Sequence, residues 1–186
     1  QSYALLISVI IGVTNIIPFF GPFIGAIPSG YIIGKVFYHV DLKKTGSGNI
    51  GATNAYRELG VVAGLSVFIC DFLKGFIAVH LGMPDPLIVL AAIVGNDWSI
   101  FLHFKSGKGV ACGVGAFAYI SAPAVLCAFA VWLLVFKAKH IVSLSSIIAA
   151  PVVALVLLIE GASAEYVIFA ALAAVIVIGK HKDNIK

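Results

Sequence analysis

Between residues 147 and 179 the chain reads "IIAAPVVALVLLIEGASAEYVIFAALAAVIVIG", and Glu160 and Glu165 are its only charged side chains. Such a segment fits two membrane crossings joined by a short acidic turn. A helix needs about 20 apolar residues to cross a hydrocarbon core of about 30 Å, with about 17 tolerated. Carried along the whole chain, the same criterion predicts seven spans: 17–38, 60–80, 87–104, 109–121, 122–137, 143–160 and 164–180. Composition agrees, since 61% of the 186 residues are hydrophobic and 11% charged. The mean hydropathy of +1.11 lies well outside the soluble range. The expected fold class is an all-α polytopic membrane protein of seven transmembrane helices, some short or re-entrant, forming one integral-membrane domain over residues 1–186.

The span at 109–121 is the doubtful one, because thirteen residues rise only about 20 Å. It either joins 122–137 in one long helix or is broken from it at Ser121-Ala122-Pro123, where proline disfavours continuation. Charge separates the two readings. With seven spans, one side holds Lys43, Lys44, Arg57, Lys105, Lys108, Lys137, Lys139, Lys180, Lys182 and Lys186. The opposite turns carry only Asp85, Glu160 and Glu165. Merging the two spans would move Lys137 and Lys139 across. The positive-inside bias therefore favours seven spans, with the N-terminus outside and the C-terminus in the cytoplasm. The polar entrance of the short helix is then recessed in protein or water, since lipid cannot satisfy loose backbone. Residues 1–16 make the opening run too long for one simple span, so they form an atypical extension that tilts, lies in the interface or re-enters.

Other classes fall away. Cys70, Cys112 and Cys127 sit inside apolar runs without metal-ligand spacing and read as small buried side chains. No metal site and no cofactor are expected. No hydrophobic stretch ends in a small-residue cleavage site, so no removable signal peptide is expected. The formal net charge of +4 is explained by lysines beside spans, which attract anionic headgroups of the lipid bilayer. Nucleic acid is excluded as a partner, because those lysines are scattered over four membrane-bounded segments without an aromatic stacking platform.

The polar residues gather on the lysine-bearing side, in the 46–57 loop "GSGNIGATNAYR", in "FKSGKG", in "SLSS" and in "KHKDN". A single polar layer suits a site worked from the cytosol better than a permeation path, which wants polar groups near the bilayer midplane. Gly46, Gly48 and Gly51 let backbone N–H groups approach a bound oxyanion. Ser47, Asn49, Thr53 and Asn54 add neutral donors, and Arg57 can pair bidentately with phosphate. The same stretch also fits a flexible turn, with Thr53 or Asn54 capping a short helix. "FKSGKG" is not a nucleotide P-loop, because Leu102 stands where its first glycine belongs and Gly109 follows Lys108. It does place Gly107, Lys108 and Gly109 at a helix N-terminus, where free N–H groups and the dipole favour an anion. A snorkelling interfacial lysine fits equally well. His181 and Asn184, three apart, share a helix face, and the histidine can bind an anion or accept a proton. Ser143 reads by default as the N-cap of the sixth span. Asp71 and Lys74 read as a buried ion pair within the second span. The residues alone describe a membrane site for phosphate-bearing ligands with no covalent nucleophile in a recognisable elbow.

Taken together and in this order, "GSGNIGATNAYRELG", "FKSGKGVA", "VSLSSI" and "HKDNIK", with "IPSGYIIGK" and "CDFLKGF" in support, closely resemble the bacterial acyl-phosphate:glycerol-3-phosphate acyltransferases, the PlsY family. The likeness runs from about Gly25 to Lys186. It implies a seven-helix enzyme of the bacterial inner membrane, with its active site facing the cytoplasm. The implied reaction transfers an acyl group from acyl phosphate to the 1-hydroxyl of glycerol 3-phosphate, giving lysophosphatidate and inorganic phosphate. Matched position by position, it assigns the holding of phosphate groups to Ser47, Asn49, Thr53, Asn54 and Arg57, and it also matches Lys108, Ser143, His181 and Asn184. Lys108, Arg57, His181 and Asn184 become the catalytic, glycerol 3-phosphate-orienting set. The substrate's own phosphate serves as base in that reading, which suits the missing nucleophile.

The chain departs from the family pattern at Gly95-Asn96-Asp97-Trp98-Ser99, where a Gly-His followed by a proline is usual, and at Cys112, where a threonine is usual. Its N-terminal "GVTNIIPFFGPFIGAIP" resembles autoinducer-2 exporter-like permeases more than an acyltransferase's first helix. The competing class is thus a membrane permease for phosphorylated metabolites.

Overall fold

The computed structural model describes residues 20–82 and 85–184, so the expectation for residues 1–16 lies outside the described residues. The chain is all-helical among them. Its helices are α1 (Gly21–Ala26), α2 (Ser29–Phe37), α3 (Ala52–Leu59), α4 (Val61–Leu81), α5 (Pro86–Asp97), α6 (Val110–Ile120), α7 (Ala122–Lys139), α8 (Val142–Ile159) and α9 (Ala164–Lys180), with 3₁₀ turns at Ile100–Leu102 and Lys182–Asn184. Three of them, α4, α7 and α8, are long and apolar enough to cross a bilayer alone. The outward face of α4 presents Val62, Leu65, Ile69, Leu73 and Ile77, all exposed. That is the reverse of a soluble helix and suits a lipid surround.

Two expected spans are corrected. The run at 17–38 is not one helix in its described part: α1 ends at Ala26 and α2 begins at Ser29. Pro28 lacks an N–H and forces Ile27 out of the helical region, to ψ 118°. The carbonyls freed by this break are satisfied by side chains, as membrane depth demands. Ala26 O accepts from Ser99 Oγ at 2.5 Å, and Ile27 O accepts from Lys74 Nζ at 2.8 Å. Lys74 is in turn paired with Asp71 at 2.7 Å, so the expected ion pair of α4 also mends the break in its neighbour. The second correction is at 87–104, where α5 stops at Asp97. A 3₁₀ turn follows, and His103 and Phe104 turn left-handed at φ 53° and 61°.

The break at Ser121 separates α6 from α7, as two helices rather than one. Ser121 is extended, and its Oγ caps α7 by accepting from Ala124 N at 3.1 Å. The same hydroxyl donates to Glu160 Oε2 at 2.8 Å, tying this turn to the one between α8 and α9.

Helix association rests on close approach. A Cβ on Gly75 would collide with Cys112 O, and one on Gly115 with Phe72 O. The α4–α6 interface thus presses backbone on backbone, which is how helices gain dispersion contact where burial from lipid offers little. An apolar cluster including Val79, Ile88, Ile93, Phe117 and Leu157 joins α4, α5, α6 and α8. A second cluster includes Leu42, Ile50, Val67 and Leu102, and it sets the loop before α3 onto α4.

Candidate active site

Leu42 and Ile50, 0% and 5% exposed, are the apolar anchors of an otherwise polar loop. They turn the 43–49 segment outward as a pinned arch rather than a free turn. Gly46 and Gly48 take φ +55° and +71°, conformations that cost other residues. Inside the arch, buried Asn54 accepts from Ser47 N at 2.9 Å and donates to Thr45 O at 3.1 Å and Leu42 O at 3.3 Å. Asn49 accepts from Gly51 N at 2.7 Å and donates to Ser106 O at 3.4 Å. Both amides therefore shape the loops. The helix N-cap is Gly51, so neither Thr53 nor Asn54 caps α3. Gly46, Ser47 and Gly48 are exposed, as is Arg57, one turn beyond half-buried Thr53 on α3.

The Asn49–Ser106 bond brings the arch against the second motif. Gly107 N donates to Asn96 O at 3.1 Å, and Gly109 is the N-cap of α6 at φ +70°. Two helix N-termini, after Gly51 and after Gly109, thus open close to one another, and their free N–H groups favour negative charge. Lys108 stands between the glycines and donates to Asn184 Oδ1. This contact joins the second motif to the end of α9.

His181 is 4% exposed, and its Nδ1 lies 2.7 Å from Val177 O. A carbonyl only accepts, so Nδ1 carries the proton and Nε2 is the atom left for chemistry. Burial lowers the His181 pKa; the Val177 carbonyl opposes that shift, and the Lys108 ammonium reinforces it. The imidazole is therefore neutral at neutral pH, with a lone pair on Nε2.

Ser143 departs from expectation. Ile141 is the N-cap of α8, because His140 turns left-handed at φ 55° and the helix starts earlier than predicted. Ser143 lies in the first turn, half-buried, and Ser145 and Ser146 spend their hydroxyls on Ile141 O and Val142 O. Residues absent from the predicted set also belong here. Asn96, Asp97 and Lys180 form the floor beneath Gly107 and Gly109, and a Cβ on Gly109 would lie 3.1 Å from Asp97 Oδ1. Their signal was the polar interruption "NDWS" in an apolar run and a lysine beside His181.

The sequence model described as "Glycerol-3-phosphate acyltransferase" matches residues 15–186. The chain belongs to the glycerol-3-phosphate acyltransferase family. It is an acyltransferase and a membrane protein. Glycerol-3-phosphate acyltransferase 2 of Moorella thermoacetica is 43% identical over 169 residues, covering 88% of this chain and 87% of its relative. The Parasynechococcus marenigrum glycerol-3-phosphate acyltransferase is 39% identical, over 89% of this chain and 82% of its own. Among solved structures, the glycerol 3-phosphate form of PlsY (YgiH), an integral membrane glycerol 3-phosphate acyltransferase, superposes with a TM-score of 0.85 at 37% identity, covering 92% of this chain and 90% of that one. Its lysophosphatidic acid form gives 0.83 at 36% identity.

Proposed function

We propose that the chain transfers an acyl group from acyl phosphate to the 1-hydroxyl of glycerol 3-phosphate, releasing lysophosphatidate and inorganic phosphate. The observation that carries this reading is the convergence of Lys108, His181 and Asn184 with the N-terminus of α6, on the end of the bundle that also bears the 46–57 arch. It is a site built of anion donors, fitted to two phosphate-bearing substrates.

In this reading Lys108, Arg57, His181 and Asn184 orient glycerol 3-phosphate. The Gly46 N–H, the Ser47 hydroxyl, Thr53 and Ser143 bind phosphate oxygens, while Asn49 and Asn54 hold the arch in shape. The glycerol hydroxyl oxygen attacks the acyl carbonyl carbon, forming the ester bond. The bond from that carbon to the phosphate oxygen breaks, and phosphate leaves with the electron pair. The hydroxyl proton passes to the phosphate of glycerol 3-phosphate, with His181 Nε2 beside it as a hydrogen-bonding partner. Acyl phosphate is already activated, so proximity and stabilisation of the departing charge supply the catalysis. Lys108 and the α6 dipole are placed for the latter.

The lysines on this end support a seven-span topology with the N-terminus outside, the site facing the cytoplasm and residues 1–186 acting as one domain in the bacterial inner membrane. Purified protein given acyl phosphate and glycerol 3-phosphate should release phosphate and lysophosphatidate in equal amounts. Transport of a phosphorylated metabolite without acyl transfer would overturn the assignment.

A further inference from the structure

Lys180 closes α9 immediately before His181. Its ammonium does not point into solvent. Nζ donates to Asp97 O at 2.8 Å and sits 4.2 Å from the centre of the Trp98 ring. Asp97 is fully buried, and its Oδ2 has no hydrogen-bond partner, so an uncompensated acceptor lies on the same residue that holds the lysine. Asn96 Nδ2 occupies the other carboxylate oxygen at 2.9 Å. Asn96 O meanwhile takes Gly107 N. One backbone step, Asn96–Asp97, therefore binds the second motif through one carbonyl and the end of α9 through the next.

We propose that Lys180 is a positioning residue of the active site, clamped between Asp97 O and the Trp98 ring, which sets His181 and Asn184 in register with Lys108. The proposal rests on the reaction proposed above. The clamp crosses the Lys108–Asn184 contact in the opposite direction: one lysine runs from the motif to the tail, the other from the tail to the floor of the motif. Two crossed links fix a short segment's position and rotation, where one would leave it free to pivot. Lys180 does this without touching substrate. Its hydrogen bond to a carbonyl is charge-assisted, and its place on an indole face is the preferred cation–π arrangement.

The test uses the full chain in nanodiscs, with Lys180→Met, which keeps the apolar stem and removes the ammonium, Lys180→Arg, Trp98→Leu, and the Lys180→Met/Trp98→Leu double variant. Misplacing His181 and Asn184 should lower kcat/KM for glycerol 3-phosphate in Lys180→Met by about 10- to 100-fold, while KM for acyl phosphate stays within about twofold. Lys180→Arg should recover most of the loss, because a guanidinium can both donate and stack. The double variant should be no worse than the worse single variant, since both break one clamp. Amide hydrogen exchange at 181–184 and 106–109 should quicken in Lys180→Met, with α4 and α8 unchanged. Wild-type kinetics in Lys180→Met, equal losses for both substrates that track a falling Tm, additive losses in the double variant, or unaltered exchange would each overturn the proposal. An inactive wild type would instead sink the assigned reaction, and the exchange measurement would still decide the clamp.

Discussion

Gly46→Ala tests whether the arch is a built cradle or a turn that any sequence could fill. At φ +55° an alanine enters the left-handed region at a cost of about 1–2 kcal/mol. Its Cβ would also collide with Asn54 Oδ1 and Glu58 Oε1. Glu58 is exposed and swings away cheaply. Asn54 is 3% exposed and bonded to Ser47 N, Thr45 O and Leu42 O, so it yields only by giving up the bond to Ser47 N, worth about 1 kcal/mol. The sum of about 2–3 kcal/mol falls on the productive arch conformation rather than on the bundle, because Leu42 and Ile50 still anchor the loop's ends. It should appear as a loss of about 30- to 150-fold in kcat/KM, with Tm in detergent shifted little. The assay is phosphate release from acyl phosphate with glycerol 3-phosphate varied, beside a thermal melt. Activity within about threefold of wild type, equivalent to less than about 0.7 kcal/mol, would refute the idea that the shape of the arch serves substrate binding.

Four further outcomes are expected. Lys108→Ala should abolish turnover in purified protein, and retained activity would remove Lys108 from the catalytic set. Asn54→Asp keeps the acceptor for Ser47 N but turns two donated bonds into carboxylate–carbonyl repulsion; activity should fall more than in Gly46→Ala, and equal or better activity would show that the arch tolerates disorder. Gly115→Ala forces a Cβ onto Phe72 O and should destabilise the α4–α6 interface by about 1–3 kcal/mol, read as a lowered Tm. The folded-state pKa of His181 is depressed below that of a free histidine. The unfolded chain therefore binds the extra proton first, and its share of stability is present above about pH 6.5 and lost as pH falls through the window below it. Melts at pH 5 and pH 7.5 should show a larger acid-side loss in wild type than in His181→Gln.

The sequence made the helices legible because lipid imposes a simple rule, and α7, α8 and α9 lie within a few residues of the predicted 122–137, 143–160 and 164–180. Hydropathy did not show what happens where a helix breaks inside an apolar run. Pro28 signalled the break between α1 and α2, but its repair by Lys74 and Ser99 depends on residues 46 and 71 positions away. Nothing local encodes such contacts. The site divides along the same line. Glycine spacing pointed to the arch, and the Lys108-Gly109 step pointed to a helix N-terminus, because both are short-range backbone demands. Asn49 and Asn54 were legible as polar but not as internal struts, since an amide looks the same in sequence whether it faces a ligand or a loop carbonyl.

That distinction also explains how a site for two anions can sit at the edge of so apolar a molecule. A side chain reaching into lipid for a phosphate would leave its own polar groups unsatisfied whenever the substrate was absent, at a cost of about 1–3 kcal/mol each. Here the buried amides close on the loops around them, Asn54 on the arch and Asn96 on Gly107 and Asp97, half-buried Lys180 closes on Asp97 O, and at the surface Lys108 closes on Asn184; Asp97 Oδ2 is the exception. The groups left open are the Gly46 N–H, the Ser47 hydroxyl, the exposed Arg57 and the helix N-termini, which water satisfies between turnovers. Binding then exchanges water for phosphate at donors already aimed, and Lys108 gives up its bond to Asn184. An Asn184→Ala variant, which removes this one acceptor from Lys108, should therefore bind inorganic phosphate at least as tightly as wild type while losing kcat. Weaker phosphate binding in proportion to the lost activity would instead make Asn184 a direct phosphate ligand and the Lys108 contact incidental.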